Sequence, residues 1–193
     1  MLDRAALYEY VRMRLSLPRF LHSVRTAEMA VDLCGRFGLP KEAGCEAGIA
    51  HDMARELPAD TVKAIAREDG LPLLDEELQR PVLLHGRAAA VMLQRNWGEE
   101  RKSVLDAVRW HTQGHPNMGE LAEIVYIADY IEEGRTHISD EFRTRILGLT
   151  TPDEMVLEIM KAQFAHLKEK QTEISTYALQ LFTVLEERQY AKI

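Results

Sequence analysis

Apolar side chains recur at spacings of three and four residues over most of this 193-residue chain. That spacing places them on one face of a helix, whereas the strict alternation that indicates a β-strand is scarce. Proline and glycine fall between the periodic segments, where helices begin and end. The pattern predicts an all-α fold, with helix boundaries near Pro18, Gly38, Pro58 and Pro81 and a break in the long C-terminal helix near Gln171.

The composition indicates a small ligand rather than a large polyanion. Aspartate and glutamate outnumber lysine and arginine, 31 to 24, which gives a net charge of -7. Nucleic acid and anionic membranes favour a clustered positive surface, so neither is the expected partner. No apolar run is long enough to span a bilayer, no N-terminal leader pattern is found, and Cys34 and Cys45 fit reduced core thiols. We therefore expect a cytoplasmic protein, with residues 1–193 forming a single domain.

Six side chains of the kind that bind transition metals are spread over the predicted helices, and two of them are adjacent. Successive helical side chains point about 100° apart, so His51 and Asp52 are not a chelating pair on one helix face. They can serve two ions, because an imidazole donates one nitrogen whereas a carboxylate has two oxygens and can bridge. The alternative is a chance His-Asp pair at a helix end. The other members of the set are His22, His85, His111 and Asp129.

Asp129 lies in an apolar stretch, Ile124–Ile131, inside a predicted helix from Glu120 to Glu133. A buried carboxylate without a partner is strongly destabilising, so Asp129 needs a cation or hydrogen-bond donors. The candidates are a metal ion and an arginine. We favour the metal, because four histidines need an anionic ligand beside them to balance a divalent cation.

The histidines differ in their surroundings. His22 lies inside a predicted helix, where an ordinary solvated position is an equal alternative. His85 and His111 lie near the start and the end of a helix, which suits ligands at the rim of a pocket. We expect His137 and His166 to be ordinary surface residues, since both lie among polar or charged neighbours.

The order of the six ligands, H…HD…H…H…D, resembles that of the HD superfamily of metal-dependent phosphohydrolases. Within that superfamily the whole chain is similar to the YqeK-type symmetrical diadenosine tetraphosphate hydrolases. The His-Asp pair alone is a weak signal, whereas the ordered set is a strong one. The similarity is carried by Arg19–Val24 (RFLHSV), Ala50–Arg55 (AHDMAR), Leu84–Gly86 (LHG), Ala107–Thr112 (AVRWHT) and Val125–Glu132 (VYIADYIE).

The resemblance implies an all-helical HD-domain bundle with a central binuclear metal site. It also implies hydrolysis of a dinucleoside polyphosphate to two nucleoside diphosphates. Iron is the implied metal, although imidazole and carboxylate ligands also accept manganese, cobalt or zinc. Carried over by position, His22, His51, Asp52 and Asp129 would hold one ion, and Asp52, His85 and His111 would hold the other.

Basic residues near these stretches are candidates to bind phosphate. The basic residue after the His-Asp pair is usually lysine in the family and is Arg55 here, which keeps the charge and can bind phosphate through two nitrogens. Arg55 and Asp52 are therefore the predicted catalytic residues. Gly86 stands where alanine is usual, and His115 stands where arginine is common. The predicted substrate-binding residues are Arg25, Arg55, Thr112, His115 and Arg135, whereas Arg87 and Arg109 are expected to be solvated charges.

Three functional alternatives stay open. The same fold and ligands serve hydrolases of other nucleotides, including nucleotidases, phosphodiesterases and alarmone hydrolases, and some HD-fold proteins use a di-iron pair for oxygen chemistry. The third is a non-catalytic helical protein that binds a nucleotide or a metal, which is disfavoured because the mixed ligand set leaves positions open for water. The expected partner is a small nucleotide. A homodimer through the apolar faces of the C-terminal helices competes with inward packing of the same faces.

Overall fold

The computed structural model describes residues 2–191, which form helices joined by short connections with no strand among them. This confirms the predicted all-α class. Short 3₁₀ turns cover Arg67–Asp69 and Pro81–Leu84. The helices are α1 (Arg4–Arg14), α2 (Leu17–Phe37), α3 (Lys41–Ala50), α4 (Ala59–Ala66), α5 (Asp75–Gln79), α6 (His85–Trp97), α7 (Lys102–Trp110), α8 (Glu120–Ile131), α9 (Asp140–Leu147), α10 (Pro152–Glu169) and α11 (Thr176–Tyr190).

The helix boundaries follow the proline and glycine signals. Pro18 lies in the first turn of α2, where its missing N–H removes no helical bond, and Gly38 ends that helix with φ at 72°. The C-terminal stretch is broken as predicted, at Gln171, whose φ is 52°. The helix predicted from Glu120 to Glu133 is shorter, because residue 132 leaves helical geometry with ψ at 151°.

Helix α8 is the centre of the bundle. It packs against α2, α3, α7 and α10, and every side chain from Leu121 to Ala128 is buried, together with Ile131. Full burial of one large aliphatic side chain contributes roughly 1.5–3 kcal/mol, so this helix is a major source of stability. Its C-terminal turn carries Asp129, which therefore lies among the helices that bear the histidines.

Two glycines let the histidine-bearing helices approach each other closely. A Cβ on Gly48 of α3 would lie 2.5 Å from the Cα of Ala27 in α2. A Cβ on Gly86 of α6 would lie 2.7 Å from the carbonyl oxygen of Arg109 in α7. Side chains do not tolerate contacts this short. Gly86 thus permits a close approach of α6 and α7.

The two cysteines are free. Cys34 is buried and Cys45 is half-buried, in agreement with reduced core thiols. Burial raises the pKa of Cys34 to about 11, so this thiol stays protonated and unreactive at neutral pH.

Among the described residues, no helix combines the length and the apolar character needed to cross a membrane.

Candidate metal centre

Four histidines turn their imidazole rings into one buried space. His22 lies inside α2, His51 directly follows α3, His85 begins α6 and His111 directly follows α7. Each residue is 5% exposed or less. Neighbouring rings meet edge to face with centroids 4.7 to 5.1 Å apart. The fold therefore brings together the four histidines that the sequence singled out.

Three of the imidazoles are held through Nδ1 by the main chain. Nδ1 of His51 lies 2.6 Å from the carbonyl oxygen of Gly48. A carbonyl oxygen only accepts, so Nδ1 carries the proton of the neutral ring and Nε2 is left with a lone pair. The same bond, to the carbonyl three residues earlier, holds His85 at Val82 and His111 at Val108.

His22 is held by a side chain instead. Its Nδ1 lies 3.1 Å from Oε1 of Glu132, a buried carboxylate that also accepts from the Arg25 guanidinium and from the N–H of Gly134. Burial alone would raise the pKa of Glu132, but these hydrogen bonds keep that pKa below its usual value. The charged carboxylate accepts the Nδ1 proton, so Nε2 of His22 also keeps its lone pair, and Nη2 of Arg135 lies 3.4 Å from it.

The free nitrogens form two groups. In the first, Nε2 of His22 lies 3.2 Å from Nε2 of His51 and 2.9 Å from Oδ1 of Asp129. In the second, the Nε2 atoms of His85 and His111 lie 2.9 Å apart. Two ligands that each lie about 2.0–2.1 Å from one metal ion are separated by about 2.8–3.4 Å, so these spacings match those of ligands around an ion.

Asp52 lies between the two groups and presents one oxygen to each. Its Oδ1 lies 2.9 Å from Nε2 of His85, and its Oδ2 lies 3.6 Å from Nε2 of His51. Burial would raise the pKa of Asp52, but the surrounding imidazoles hold that pKa well below its usual value. Both oxygens of this ionised carboxylate therefore face histidine nitrogens, which is the arrangement that a bridging ligand requires.

The donor set fits two divalent transition-metal ions. Imidazole nitrogen and carboxylate oxygen together accept iron, manganese, cobalt or zinc. Buried lone pairs that face one another repel unless a cation lies between them. The ligand atoms of His22, His51 and Asp129 all lie within 4.8 Å of one another, and so do those of His51, Asp52 and His111.

Two arginines meet the carboxylates of the centre. Arg19 donates from Nη1 to Oδ2 of Asp52 over 2.9 Å. Arg135 donates to the carboxylate of Asp129 and, through Nε, to the carbonyl oxygen of the same residue. Asp129 therefore has the arginine partner that the sequence left open, in addition to the histidines. Both guanidinium side chains are partly exposed, 29% for Arg19 and 26% for Arg135, so both can also contact a ligand.

The remaining predicted substrate-binding residues lie at different depths. Oγ1 of Thr112 is within 3.1 Å of the Nε2 atoms of two ligand histidines. Arg55 is half-buried, and its guanidinium makes no hydrogen bond or ion pair with any residue from 2 to 191, whereas its main-chain N–H donates to the carbonyl oxygen of Asp52. His115 stacks on Trp110 with ring centroids 4.3 Å apart and lines neither of the two cavities beside the centre. Its contact with substrate stays a prediction.

The two cavities beside the centre share Arg135 and His137. The larger, of about 510 Å³, is lined by Asp129 and has aromatic and aliphatic walls that include Tyr130 and Phe164. The smaller, of about 350 Å³, is polar. The smaller cavity is lined by Arg19, His22, Arg25, Glu132 and Arg135. His137 and His166 both have exposed side chains, as predicted.

The expectation of a solvated charge was wrong for Arg87. Its side chain is fully buried and donates to both oxygens of Asp69 and to Oε2 of Glu77. The carbonyl oxygens of Leu71 and Pro72 accept its remaining N–H groups. This face of α6 is covered by the segment 67–79, whose carboxylates replace water around the guanidinium. The ion pairs outweigh the effect of burial and raise the pKa of Arg87.

Arg109 is also less solvated than expected. Its side chain is 17% exposed and pairs with Asp106 over 2.8 Å. The partners of Arg87 also contact residues near the centre. Gln113, which lies two residues after His111, donates to Glu77 over 2.9 Å. The segment 67–79 thus contacts α6 through Arg87 and α7 through Arg109, whose Nε lies 3.8 Å from Oδ2 of Asp69.

Sequence reasoning gave no role to Arg19 or Glu132. Arg19 lies three residues before His22, so the two share one face of α2, and this spacing could have found it. Glu132 lies beyond the end of α8, and its bond to His22 depends on the packing of α8 against α2. No spacing within the sequence reports that contact.

Comparison with known proteins gives one consistent result. The family model of the HD domain matches residues 19–134. A symmetrical bis(5'-nucleosyl)-tetraphosphatase of Bacillus subtilis is 33% identical over 83% of this chain and 85% of that protein. A protein of the same name from Staphylococcus aureus is 30% identical over 81% of each. The crystal structure of a predicted HD superfamily hydrolase from Clostridium acetobutylicum has a TM-score of 0.90 at 28% identity, covering 97% of this chain and 99% of that one.

Proposed function

Because this chain belongs to the HD domain family, we propose that it is a metal-dependent phosphoanhydride hydrolase that cleaves diadenosine tetraphosphate symmetrically into two molecules of ADP. The relatives from Bacillus subtilis and Staphylococcus aureus are named for this type of reaction. Their similarity extends over more than four fifths of the chain, and the HD-domain match of residues 19–134 contains all six candidate ligands.

One observation supports the proposal most strongly. Asp52 directs Oδ1 to His85 and Oδ2 toward His51, so a single carboxylate faces two separate groups of imidazole nitrogens. A structural metal site is closed by four ligands around one ion. A shared carboxylate instead favours two neighbouring ions with positions left for water and substrate.

We assign the ligands accordingly. The bridging residue is Asp52. One ion would be held by His22, His51 and Asp129 in addition to the bridge, and the other by His85 and His111. Iron is the proposed metal on the basis of the family resemblance, and the same ligands accept manganese, cobalt or zinc.

When bound, the two ions would activate water for attack on phosphorus and neutralise charge on the phosphate oxygens. The residues of the chain fix the geometry. The four Nδ1 bonds keep each imidazole in one orientation, so its Nε2 is directed to the centre without rearrangement. Arg55 is proposed to bind the phosphate that carries the leaving group, because its guanidinium lacks a protein partner and can make two parallel bonds to phosphate.

The two cavities are proposed to hold different parts of the substrate. In the larger cavity Tyr130 and Phe164 offer ring faces against which a base can stack. In the smaller cavity Arg19, Arg25 and Arg135 supply positive charge for the polyphosphate. Thr112 and His115 complete the proposed substrate contacts.

The proposal extends to the domain organisation, the location and the partners of the protein. Residues 1–193 act as one HD domain in the cytoplasm, and the partner is a small nucleotide rather than nucleic acid or a membrane. Leu179 and Tyr190 of α11 are exposed, at 48% and 74%. They leave apolar surface on that helix for a homodimer.

The direct test is to incubate the purified protein with diadenosine tetraphosphate and Fe²⁺, Mn²⁺, Co²⁺ or Zn²⁺ and to separate the products by chromatography. We expect ADP as the sole nucleotide product. ATP with AMP, or no turnover with any of the ions, would contradict the proposal. The Asp52→Ala variant, purified in the same way, controls for a contaminating hydrolase.

A further inference from the structure

Glu132 distinguishes the two halves of the candidate centre. Three ligand histidines use main-chain carbonyls to hold Nδ1, whereas His22 uses this carboxylate. The difference has a cause in the fold. The other three histidines each follow the last turn of a helix or 3₁₀ turn, where carbonyl oxygens have no intrahelical partner.

His22 has no such carbonyl available. It lies in the sixth position of α2, where the preceding carbonyl oxygens accept the main-chain bonds of the same helix. The ring therefore needs an acceptor from elsewhere in the fold. Glu132, 110 residues away in the chain, supplies it at the end of α8.

The carboxylate of Glu132 is itself held in place. It is 1% exposed, and its two oxygens accept from Nδ1 of His22, from the guanidinium of Arg25 and, over 2.6 Å, from the N–H of Gly134. A Cβ on Gly134 would overlap the guanidinium of Arg25, so a larger residue at this position would displace that side chain. A buried carboxylate with fixed partners has one orientation available.

A carboxylate that accepts from Nδ1 makes Nε2 of the same imidazole a stronger metal ligand and fixes its direction. We infer that Glu132 is a positioning residue: through His22 it sets the affinity of the ion held by His22, His51 and Asp129, and leaves the affinity of the ion held by His85 and His111 unchanged. This inference rests on the proposed binuclear centre. It adds that the two ions are bound with separately adjustable strength.

The test measures binding of Mn²⁺ alone by equilibrium dialysis, without substrate. In the His85→Ala background, where one site should remain intact, Glu132→Gln is expected to lower the Mn²⁺ affinity about 10- to 100-fold. In the His22→Ala background, where the other site remains, Glu132→Gln is expected to have no effect, because the residue through which it acts is gone.

Glu133→Gln is the matched control, since it removes the same charge from the next residue, which is exposed. It should change neither affinity. Thermal unfolding of each metal-free variant checks that the fold is kept. If Glu132→Gln leaves the Mn²⁺ affinity unchanged in the His85→Ala background, the inference is overturned. An equal loss of affinity in both backgrounds would also overturn it, because that result indicates a general structural effect. If the parent protein binds two Mn²⁺ ions, either result rejects only the positioning role of Glu132. If it binds none, the proposed metal centre is rejected as well.

Discussion

The Nε2 atoms of His85 and His111 lie 2.9 Å apart, although both rings donate through Nδ1 to a carbonyl oxygen. Burial lowers the pKa of His85, which favours the neutral ring. Two lone pairs at this distance repel, and a cation between them converts the repulsion into attraction. The folded protein should therefore be stabilised by divalent metal.

The first prediction is that Mn²⁺ raises the unfolding temperature of the chelator-treated protein. At a concentration of 100 times the dissociation constant, one bound ion should add about 2.7 kcal/mol to the unfolding free energy. Thermal unfolding followed by circular dichroism measures the shift. Asp52→Ala should lose most of it, and an equal shift in that variant would show that the ion binds elsewhere.

A second prediction concerns Arg87. Arg87→Ala removes the guanidinium that pairs with the buried carboxylates of Asp69 and Glu77, and removing one member of a buried ion pair costs about 3–5 kcal/mol. Urea unfolding measures the loss of free energy. Arg95→Ala is the matched control, because Arg95 forms an exposed pair with Glu68 and such pairs contribute about 0–1 kcal/mol. Similar small losses in both variants would contradict the structural role of Arg87.

The contrast between Arg87 and the six ligands explains how much could be predicted from sequence. Helical periodicity and the order of the histidines and aspartates were sufficient for the fold class and for the residues that meet in the centre. The environment of Arg87 was not predictable, because its partners belong to the segment 67–79, whose folding over α6 has no periodic signal. An arginine on a helix has the same appearance in sequence whether it faces water or a buried carboxylate.

Position along the chain did not indicate the contacts of Glu132 or those of His115. The contact of Glu132 with His22 joins residues 110 positions apart, so only the packing of α2 and α8 creates it. His115 follows the ligand His111 closely in sequence, yet its ring stacks on Trp110 and lines neither cavity. Its contact with substrate therefore stays a prediction.

A third prediction concerns the pH dependence of stability. Burial and the neighbouring Asp153 raise the pKa of Glu123 from 4.5 to about 8. Between these values the folded protein binds more protons than the unfolded chain, so the contribution of Glu123 to the unfolding free energy falls as pH rises and is flat above about pH 8. Glu123→Gln should reduce this fall between pH 5 and pH 8. Chemical unfolding at both pH values measures it, and parallel profiles for the two proteins would reject the assignment.

A fourth prediction separates Arg55 from the metal ligands. Arg55→Ala should keep both ions and lose turnover of diadenosine tetraphosphate by about 10²–10³-fold, since one donor to a developing charge is removed. Arg55→Lys should recover part of the rate, because it restores the charge without the two parallel bonds. Arg67→Ala, at an exposed arginine that follows α4, is the control. Unchanged turnover in Arg55→Ala would remove this residue from the phosphate-binding role.

The most direct test of the account is anomalous X-ray diffraction from crystals of the protein loaded with Fe²⁺ or Mn²⁺. We predict two peaks about 3.5–4 Å apart, both beside Asp52. One should lie among His22, His51 and Asp129, and the other against His85 and His111. A single peak, or peaks away from Asp52, would contradict a centre in which one carboxylate joins two ions.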